Sequence, residues 1–262
     1  SAASDVYKRQ SLAQTTNQGG EITPFLEFVE NYQTLDGKIE KLKDKNPDGS
    51  PVYYESMANI FANRDKRLAA TVLYSGSEFK GKVTSIQAGQ KVWNQQTGSY
   101  DYITGMSLGD KDENELLIRG FDGPSEDKNI TNTGFYLKKF VSTSSDAGLS
   151  AVKASNYWPI FRYAEILLNT AEAGFELGKP QAIDYINAIR EDAGFGPNSL
   201  VSLTFEDIIQ ERKVELAFEG HRYFDLKRWR LSEQIINGVK YHGLYPYSVS
   251  YTHLTLPTNR EV

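Results

Sequence analysis

The sequence predicts a mainly α-helical chain in which paired helices support an irregular insert of loops and short strands. Two observations predict this class. Apolar residues recur at helical spacing through most of the stretch from residue 156 to 229, as amphipathic helices require. Across residues 52–140, in contrast, glycine interrupts the chain every ten or so positions and only short runs of Tyr, Val and Ile occur, which indicates loops and short strands.

Length and composition describe an ordinary globular chain. Its 262 residues, 39% hydrophobic and 24% charged, suffice for one large or two small domains with a substantial core. The absence of cysteine excludes disulfides, cysteine-ligated metals and cysteine nucleophiles. Because 29 basic residues are interspersed among 34 acidic ones, giving a net charge of -5, the chain offers no broad basic field to nucleic acid.

Both ends of the chain look foreign to the rest. Residues 4–10 (SDVYKRQ) and 248–262 (SVSYTHLTLPTNREV) resemble translated sequencing-adaptor reads, and neither continues the pattern beside it. We therefore expect adaptor-derived segments at 1–10 and 248–262, a first helix with the irregular insert at 11–150, and a helical-repeat region at 151–247. On this interpretation the chain is a fragment that lacks its own N-terminus.

One helix is predicted over residues 22–42. Thr23 and Pro24 suit the cap and first turn of a helix. The apolar residues behind them follow helical spacing, namely Phe25, Leu26, Phe28, Val29 and Tyr32. A turn cluster is predicted at 44–51, and the runs at 100–103 and 115–119 are candidates for short strands in the insert.

The C-terminal region begins with a predicted helix pair. The first helix covers 156–177, and its apolar stripe comprises Ile160, Tyr163, Ala164, Leu167, Leu168, Ala171 and Phe175. The second covers 181–193 and carries apolar residues at Ala182, Ile183, Ile186 and Ile189. Gly194 follows it in the position where glycine commonly ends a helix.

A second helix pair is predicted behind the first. Thr204, with Asp207 three positions on, is a capping pattern for a helix that runs to Glu219. Gly220 breaks the run, and a fourth helix then carries Phe224, Leu226 and Trp229.

The helix pairs indicate a tetratricopeptide-like architecture. Ala164, Ala171 and Ala173 leave room for a partner helix to approach closely, and a short turn connects the two helices of the first pair. Because single repeats cannot bury their apolar faces, we expect further repeats upstream of this chain.

Several strings of this sequence resemble the C-terminal half of one protein family, the SusD/RagB family. They are NYWPIFRYAEILLNTAEAGFE at 156–176, AIDYINAIREDAGF at 182–195, ERKVELAFEGHRYFDLKRW at 211–229, NRDKRLAAT at 63–71 and TGFYLKKFV at 133–141. The resemblance covers nearly all of residues 11–247, and the third string is its most specific part.

The resemblance implies a surface lipoprotein anchored in the outer membrane of Bacteroidetes-type bacteria. Such proteins bind glycans for nutrient uptake, cover a SusC-type TonB-dependent transporter, and combine four tetratricopeptide-like helix pairs with an irregular insert. This chain would hold the last two pairs and part of the insert. The N-terminal half with its lipid-bearing cysteine would be missing.

The charged string in the last two helices is predicted to be structural. Glu215 and Glu219 lie four apart on one helical face, a spacing that also occurs in acid/base pairs. Opposite charges on consecutive turns are, however, more typical of interhelical ion pairs and caps that lock the final repeat. We assign that role to Glu211, Arg212, Glu215, Glu219, Arg222, Asp225 and Trp229.

A calcium-loop template lies at residues 44–55. Asp44, Asn46, Asp48, Gly49 and Glu55 match it in spacing. Prolines within the segment disfavour a helix-flanked calcium loop, and Asn-Pro-Asp-Gly is also a good turn sequence. A solvated turn is therefore the preferred interpretation, and a calcium ion is the alternative.

A nucleophile-elbow pattern, G-x-S-x-G, occurs at residues 105–109. Esterase chemistry is not expected there because a polar segment replaces the helix that should follow. Outside the adaptor-like ends, the histidines for a triad are His221, within the charged helical string, and His242, near the end of the chain. No catalytic residue and no metal ligand is nominated.

The insert carries the candidate ligand-binding residues. Sugar rings bind through apolar C–H faces stacked on aromatic rings, while amides take the hydroxyls. Trp93, Tyr100 and Tyr102, with Asn94 and Gln95, offer that combination. The alternative is that Trp93 anchors the insert to the helical layer.

These observations favour a non-catalytic glycan-binding subunit that delivers its ligand to an outer-membrane transporter. Two alternatives belong to other classes. An intracellular helical-repeat scaffold would require the family resemblance to be coincidental. A glycoside hydrolase would require two carboxylates roughly 5 to 9.5 Å apart at a cleft, and no spacing nominates such a pair.

Overall fold

The computed structural model describes residues 22–124, 130–141, 143 and 159–249, together with the backbone of two strands at 253–255 and 260–261. Within these residues helix exceeds strand, which confirms the predicted mainly α-helical class. None of the described helices combines the length and apolar character that a membrane crossing requires.

The elements are numbered in chain order. The helices are α1 Leu26–Glu30, α2 Arg67–Thr71, α3 Tyr163–Glu176, α4 Ala182–Asp192, α5 Phe205–Glu215, α6 His221–Arg228 and α7 Ser232–Ile236, with a 3₁₀ helix at Met57–Phe61. The strands are β1 Tyr53–Tyr54, β2 Val72–Leu73, β3 Glu78–Phe79, β4 Lys82–Val83, β5 Gly89–Asn94, β6 Ser99–Ile103, β7 Tyr136–Leu137, β8 His242–Gly243, β9 Tyr247–Val249, β10 His253–Thr255 and β11 Arg260–Glu261.

The first predicted helix pair is present as α3 and α4, and α5 packs beside α3. The three helices share a core made of Leu168, Ala171, Ile186, Ile189, Ile208 and Leu216. Gly174 marks a close approach within the pair, because a Cβ at this position would lie only 3.1 Å from the Cβ of Ala182. The helical layer therefore forms by burial of the apolar stripes that the sequence contains.

The second pair begins as predicted but its first helix is shorter. The Thr204 hydroxyl accepts a hydrogen bond from the Asp207 amide, and the Asp207 carboxylate accepts one from the amide of Thr204, which completes a capping box. α5 ends at Glu215 and not at Glu219, because Phe218 (φ 62) and Gly220 (φ 83) adopt left-handed conformations that no α-helix can contain.

Two other helices are shorter in the structure than the sequence predicted. α1 covers five residues of the predicted 22–42, because from Thr34 the chain pairs with the segment at Arg64, where the Leu35 amide donates to the Asn63 carbonyl at 3.0 Å, and it then turns at Gly37 (φ 85). α3 begins at Tyr163 because Arg162 is extended, with φ -147. Residues 156–158 of that predicted helix lie outside the described residues.

The predicted stripe of α3 is buried only in part. Leu168 and Ala171 are fully buried against α4 and α5, whereas Tyr163 is 74% exposed and Ile160, before the helix, is 88% exposed. The prediction that Ile160 and Tyr163 share the buried face was wrong. The reason is that no described element packs over the first turn of α3 on that side.

Strands of the insert and of the C-terminal segment together form a five-stranded sheet in the order β1-β10-β9-β5-β6. β5 pairs antiparallel with β6 and parallel with β9. The predicted strand at 100–103 lies within β6. The one predicted at 115–119 is instead an irregular loop, because Glu115 has φ 62 and the Asp112 carboxylate accepts the amides of Asn114 and Leu116.

A second core fixes the insert to the helical layer. It combines residues of α1, the 3₁₀ helix, α2, α5 and the segment behind β8, namely Leu26, Val29, Tyr32, Ile60, Phe61, Leu68, Val72, Phe135, Val214 and Leu244. Burial raises the pKa of the Tyr32 hydroxyl, which lies at the centre of this cluster. The insert and the helices therefore share buried apolar side chains.

Candidate functional site

The candidate site is built on the β5–β6 hairpin. Asn94 ends β5, and its side-chain oxygen accepts hydrogen bonds from the amides of Gln96 and Thr97. Gly98, with φ 62, then allows the left-handed step that returns the chain into β6. Short polar residues and one glycine thus close the hairpin and fix its register.

The register brings the predicted aromatic residues onto one face of the hairpin. Trp93 lies opposite Tyr100, and Lys91 lies opposite Tyr102. Side chains two apart on a strand point to the same side, so all four share one face. The rings of Trp93 and Tyr100 are edge-on with centroids 5.0 Å apart, and Trp93 and Tyr102 are 49% and 51% exposed.

A further tyrosine joins this face from β9. Tyr247 pairs with Gly89 of β5, and its ring lies edge-on to Tyr102 with centroids 5.1 Å apart. A Cβ at Gly89 would lie 2.8 Å from Cε1 of Tyr247, so glycine is needed for this ring to lie over β5. We call the surface formed by Lys91, Trp93, Tyr100, Tyr102 and Tyr247 the aromatic face.

Tyr53 of β1 contacts the aromatic face through its hydroxyl. The pKa of Tyr53 is raised, chiefly by a hydrogen bond with the Tyr100 side chain and secondarily by burial. Tyr53 is 43% exposed. The face therefore combines edge-on aromatic rings with hydroxyl groups, an arrangement suited to a ligand with both apolar faces and hydroxyls.

Only some of the predicted site residues lie on one surface. The structure brings together Trp93, Tyr100 and Tyr102. Asn94 lies on the opposite side of the hairpin, where its amide donates to the Asp101 carboxylate at 2.8 Å, and Gln95 is exposed in the turn. The Trp93 ring packs on Tyr100 within the hairpin, which disfavours the alternative in which it anchors the insert to the helices.

The charged string of the last helix pair forms buried ion pairs. The Glu211 side chain, 1% exposed, contacts Arg67 at 2.6 Å and Arg190 at 3.3 Å. Burial raises the pKa of Glu211 despite these cations. Glu215 contacts Arg67 at 2.7 Å and Arg162 at 2.6 Å. Burial opposes ionisation of Glu215 as well, but the two guanidinium groups prevail and lower its pKa.

The remaining members of the string differ in their contacts. Glu219 binds Lys139 at 2.6 Å. Arg212 donates to both oxygens of Asp225, at 3.0 and 3.1 Å. Arg222 lies outside this pairing, and its Nη1 is buried without a hydrogen-bond partner among the described residues. Glu211, Glu215, Glu219 and Asp225 each lie within ion-pair distance of at least one cation, which favours the predicted structural role of the string.

Trp229 lies at the edge of the helical layer and is half-buried. Its indole N–H donates to Glu172 at 2.9 Å, and its ring contacts Phe205 edge-on at 5.6 Å and lies under Arg228 at 4.4 Å. Phe224, expected on the apolar side of the same helix, is 67% exposed, because that side of α6 is covered only near Leu226.

The calcium-loop template folds as a hydrogen-bonded turn. The Asp48 carboxylate accepts the amide of Ser50 at 2.9 Å and its hydroxyl at 2.5 Å, and these bonds lower the pKa of Asp48. Asn46 donates to Ser50 and to the Pro51 carbonyl. In the part of the chain that the structure describes, no cluster of three or more His, Asp or Glu side chains is arranged to hold a metal ion.

The histidines are not assembled with Ser107 of the nucleophile-elbow pattern. Ser107 is exposed in a turn, and its amide donates to Asp110 at 2.7 Å. His221 lies 3.7 Å from Glu165, and His242 contacts Glu27. The geometry therefore gives no support to serine-based hydrolysis.

Comparison with known proteins assigns the family. Residues 2–252 match the family model described as the SusD family. This chain belongs to the SusD family. The predicted family resemblance is thereby confirmed, and it extends over most of the chain.

Named relatives within the SusD family come from Formosa agariphila. The chain is 38% identical to SusD-like protein P38 over 231 residues, which cover 82% of this chain and 37% of that protein. It is 37% identical to SusD-like protein P2 over 120 residues, which cover 40% of this chain and 24% of that protein. The chain thus spans less than half the length of these relatives.

Solved SusD-like structures share the fold. A SusD-like carbohydrate-binding protein of Bacteroides fragilis superposes with a TM-score of 0.60 at 21% identity, covering 97% of this chain and 49% of that one. A second SusD-like protein of the same species gives 0.59 at 23% identity, covering 91% and 41%. At these identities the likeness shows the fold alone.

Sequence reasoning missed three residues of the site in this SusD-family chain. Lys91 could have been found from strand alternation, because it lies two positions before Trp93. Tyr247 reaches the face through the order of strands, which places β9 beside β5, and Tyr53 reaches it through its hydrogen bond with Tyr100. Gly89 could have indicated that another side chain lies over β5, because a glycine within a strand often marks the close approach of another group to the backbone. That side chain is Tyr247.

Proposed function

We propose that this chain is a non-catalytic glycan-binding protein of the bacterial outer-membrane surface that presents its aromatic face to sugar rings. The observation that carries the proposal is the row of exposed rings of Trp93, Tyr100 and Tyr102 on one side of the sheet, which the half-buried Tyr247 continues. A contiguous exposed patch of large apolar side chains commonly marks a binding surface. SusD family membership supports a role in carbohydrate recognition.

The geometry of the rings suits carbohydrate. Edge-on pairs such as Trp93 with Tyr100 leave ring faces open on the solvent side, where the C–H face of a sugar can stack. Hydroxyls of Tyr53 and Tyr100 lie beside the rings and can exchange hydrogen bonds with sugar hydroxyls. A ligand with alternating apolar and polar surface fits this face better than a purely apolar one.

The absence of catalysis is part of the proposal. Hydrolysis of a glycosidic bond needs one free carboxylate and one protonated carboxyl group flanking the bond. In the helical layer, Glu211, Glu215 and Glu219 are each held by cationic side chains at 2.6 to 2.7 Å. These carboxylates stabilise the fold, so the glycan is bound and released unchanged.

Transfer to a transporter completes the proposed role. We expect the full-length protein to be a lipid-anchored partner of a SusC-type TonB-dependent transporter, as its family membership suggests. In the source bacterium, deletion of the gene should abolish growth on the same glycan that the purified chain binds. Normal growth of the deletion strain on that glycan would contradict delivery while leaving binding intact.

Binding is tested by affinity electrophoresis of the chain in gels that contain amylopectin, laminarin, xylan, dextran or polygalacturonate. We expect retention by at least one polymer. W93A and Y102A should each weaken it about 2- to 12-fold, as loss of an aromatic contact predicts. The control is Y223A, which removes a tyrosine of α6 that is 59% exposed and lies outside the aromatic face.

Two outcomes contradict the proposal. The first is that no polymer of the panel retards the unaltered chain. The second is that a polymer retards W93A, Y102A and Y223A equally, because the binding surface would then lie elsewhere on the chain.

A further inference from the structure

The aromatic face carries one ammonium group and no carboxylate. Strand alternation places seven residues of β5, β6 and β9 on this side of the sheet, namely Gly89, Lys91, Trp93, Tyr100, Tyr102, Tyr247 and Val249. Lys91 is the one charged residue among the seven. It lies in the middle of the row, across β5–β6 from Tyr102 and beside Val249 of β9.

Lys91 is held by a ring and not by a carboxylate. Its Nζ lies 5.0 Å from the centroid of Tyr102, within the range of a cation–π contact. Among the described residues no carboxylate lies within ion-pair distance of this ammonium group. Other cations of the chain differ, since Arg67, Arg162 and Lys139 each bind at least one carboxylate at 2.6 Å.

The carboxylate of the same hairpin points away from the face. Asp101 lies on β6 between Tyr100 and Tyr102, so its side chain projects to the opposite side of the sheet. There it accepts a hydrogen bond from Asn94 at 2.8 Å. The face is therefore locally positive, although the chain as a whole has a net charge of -5.

We infer that the aromatic face selects anionic glycans, whose sugar rings stack on Trp93 and the tyrosines while a carboxylate or sulfate ester binds Lys91. This inference rests on the proposed glycan-binding function and adds the class of sugar. A neutral sugar that covered Lys91 would remove water from the ammonium group and return hydrogen bonds without an opposite charge. An anionic group returns both the hydrogen bond and the opposite charge, so the ammonium group is paired when water is removed.

The test uses polymer pairs that differ in charge. Polygalacturonate is compared with its fully methyl-esterified form, and dextran sulfate with dextran, so that the two arms distinguish a carboxylate from a sulfate ester. Binding is measured by affinity electrophoresis at low and at physiological salt. The variant K91M keeps the length of the side chain, and K91R keeps its charge. The control is K82M, which removes an exposed lysine of β4, a strand outside the five-stranded sheet.

We expect the unaltered chain to bind at least one anionic polymer roughly fivefold more tightly than its neutral partner, as a single exposed ion pair allows. K91M should lose this preference but keep the weaker binding of the neutral polymer. K91R and K82M should retain the preference, and salt should weaken it. Because the whole chain is acidic, general attraction to polyanions cannot produce this result.

Three outcomes overturn the inference. Equal or tighter binding of the neutral polymers would refute anionic selectivity while the proposed function stands. A preference that survives in K91M would show that Lys91 is not its source. Failure to bind any charged or neutral polymer would refute the proposed function itself, and the inference with it.

Discussion

Arg67 of α2 and Glu211 of α5 form an ion pair with 2.6 Å between Nη1 and Oε1, although 144 residues separate them in sequence. The same guanidinium group binds Asp65 at 2.6 Å and Glu215 at 2.7 Å. Arg67 is 14% exposed in its side chain and Glu211 is 1% exposed. This contact joins the insert to the helical layer through one cation and three carboxylates.

Removal of Arg67 should destabilise the whole chain. In R67M, the carboxylates of Asp65, Glu211 and Glu215 lose a shared cation inside the protein, and breaking one side of a buried ion pair typically costs about 3 to 5 kcal/mol. Urea unfolding monitored by circular dichroism measures this loss. The matched control is K38M, whose partner Asp36 lies on the surface, with side-chain exposures of 67% and 52%. A loss in R67M no larger than in K38M would contradict the account.

Acid should weaken the fold through Glu215. Burial favours the neutral acid, but Arg67 and Arg162 outweigh it and hold the pKa of Glu215 below its ordinary value of 4.5. Below pH 4.5 the unfolded chain therefore binds more protons than the folded chain, so this contribution to stability is complete above that pH and is lost as the pH falls. The pH dependence that Glu211 contributes has the opposite sign, because burial raises the pKa of Glu211 above its ordinary value of 4.5.

The variant E215Q separates the contribution of Glu215 to the pH dependence from that of Glu211. Its free energy of unfolding should fall less steeply than that of the unaltered chain between about pH 4.5 and 3, because its side chain does not titrate. Urea midpoints at a series of pH values measure the slope. Identical slopes for both proteins would show that Glu215 has an ordinary pKa in the folded chain.

Gly89 should be required for the aromatic face. An alanine Cβ at this position would lie 2.3 Å from the Ile103 carbonyl oxygen and 2.8 Å from Cε1 of Tyr247, so the strand or the ring must move. We expect G89A to weaken glycan retention several-fold with unchanged helix content by circular dichroism. The control is G196A, because a Cβ at Gly196 would meet nothing within 4 Å. Equal retention of both variants would contradict the assigned role of Gly89.

The uncovered start of the helical layer should make the chain self-associate. Phe161 and Tyr163 are 71% and 74% exposed and adjoin Ile160, which is 88% exposed. Contiguous apolar surface of this kind promotes association. Analytical ultracentrifugation should show concentration-dependent association that F161S/Y163S relieves. V201S is the control, because Val201 is 96% exposed and far from this surface in sequence. Equal association of both variants would locate the association elsewhere.

The sequence predicted those parts of the fold that local patterns control. The capping box at Thr204 follows from side-chain chemistry within a few residues and occurs as predicted. Gly220 separates α5 from α6 as predicted, but α5 already ends at Glu215. The length of α1 did not follow from its apolar spacing. Its apolar residues, among them Tyr32, contribute to a core with the insert, so apolar spacing there does not require a long helix.

Of the candidate site, only the part on the β5–β6 hairpin could be predicted from the sequence. Trp93, Tyr100 and Tyr102 are close in sequence, and strand alternation was enough to place the two tyrosines on one side. Tyr247 joins them through parallel pairing of β5 with β9, across more than half the chain, and no local pattern contains that pairing. Asn94 failed to join them because it directly follows Trp93 in β5, so its side chain lies on the opposite side, where it contacts Asp101.

The central claim is that sugar covers Trp93 on the aromatic face. Fluorine NMR of the chain labelled with 5-fluorotryptophan tests it most directly, because the sequence contains only three tryptophans, Trp93, Trp158 and Trp229. The variant W93F identifies the Trp93 resonance. Titration with a polymer that retards the chain in gels should shift this resonance progressively and leave that of Trp229 unchanged. A bound polymer that leaves the Trp93 resonance in place, or shifts only another one, would contradict the account.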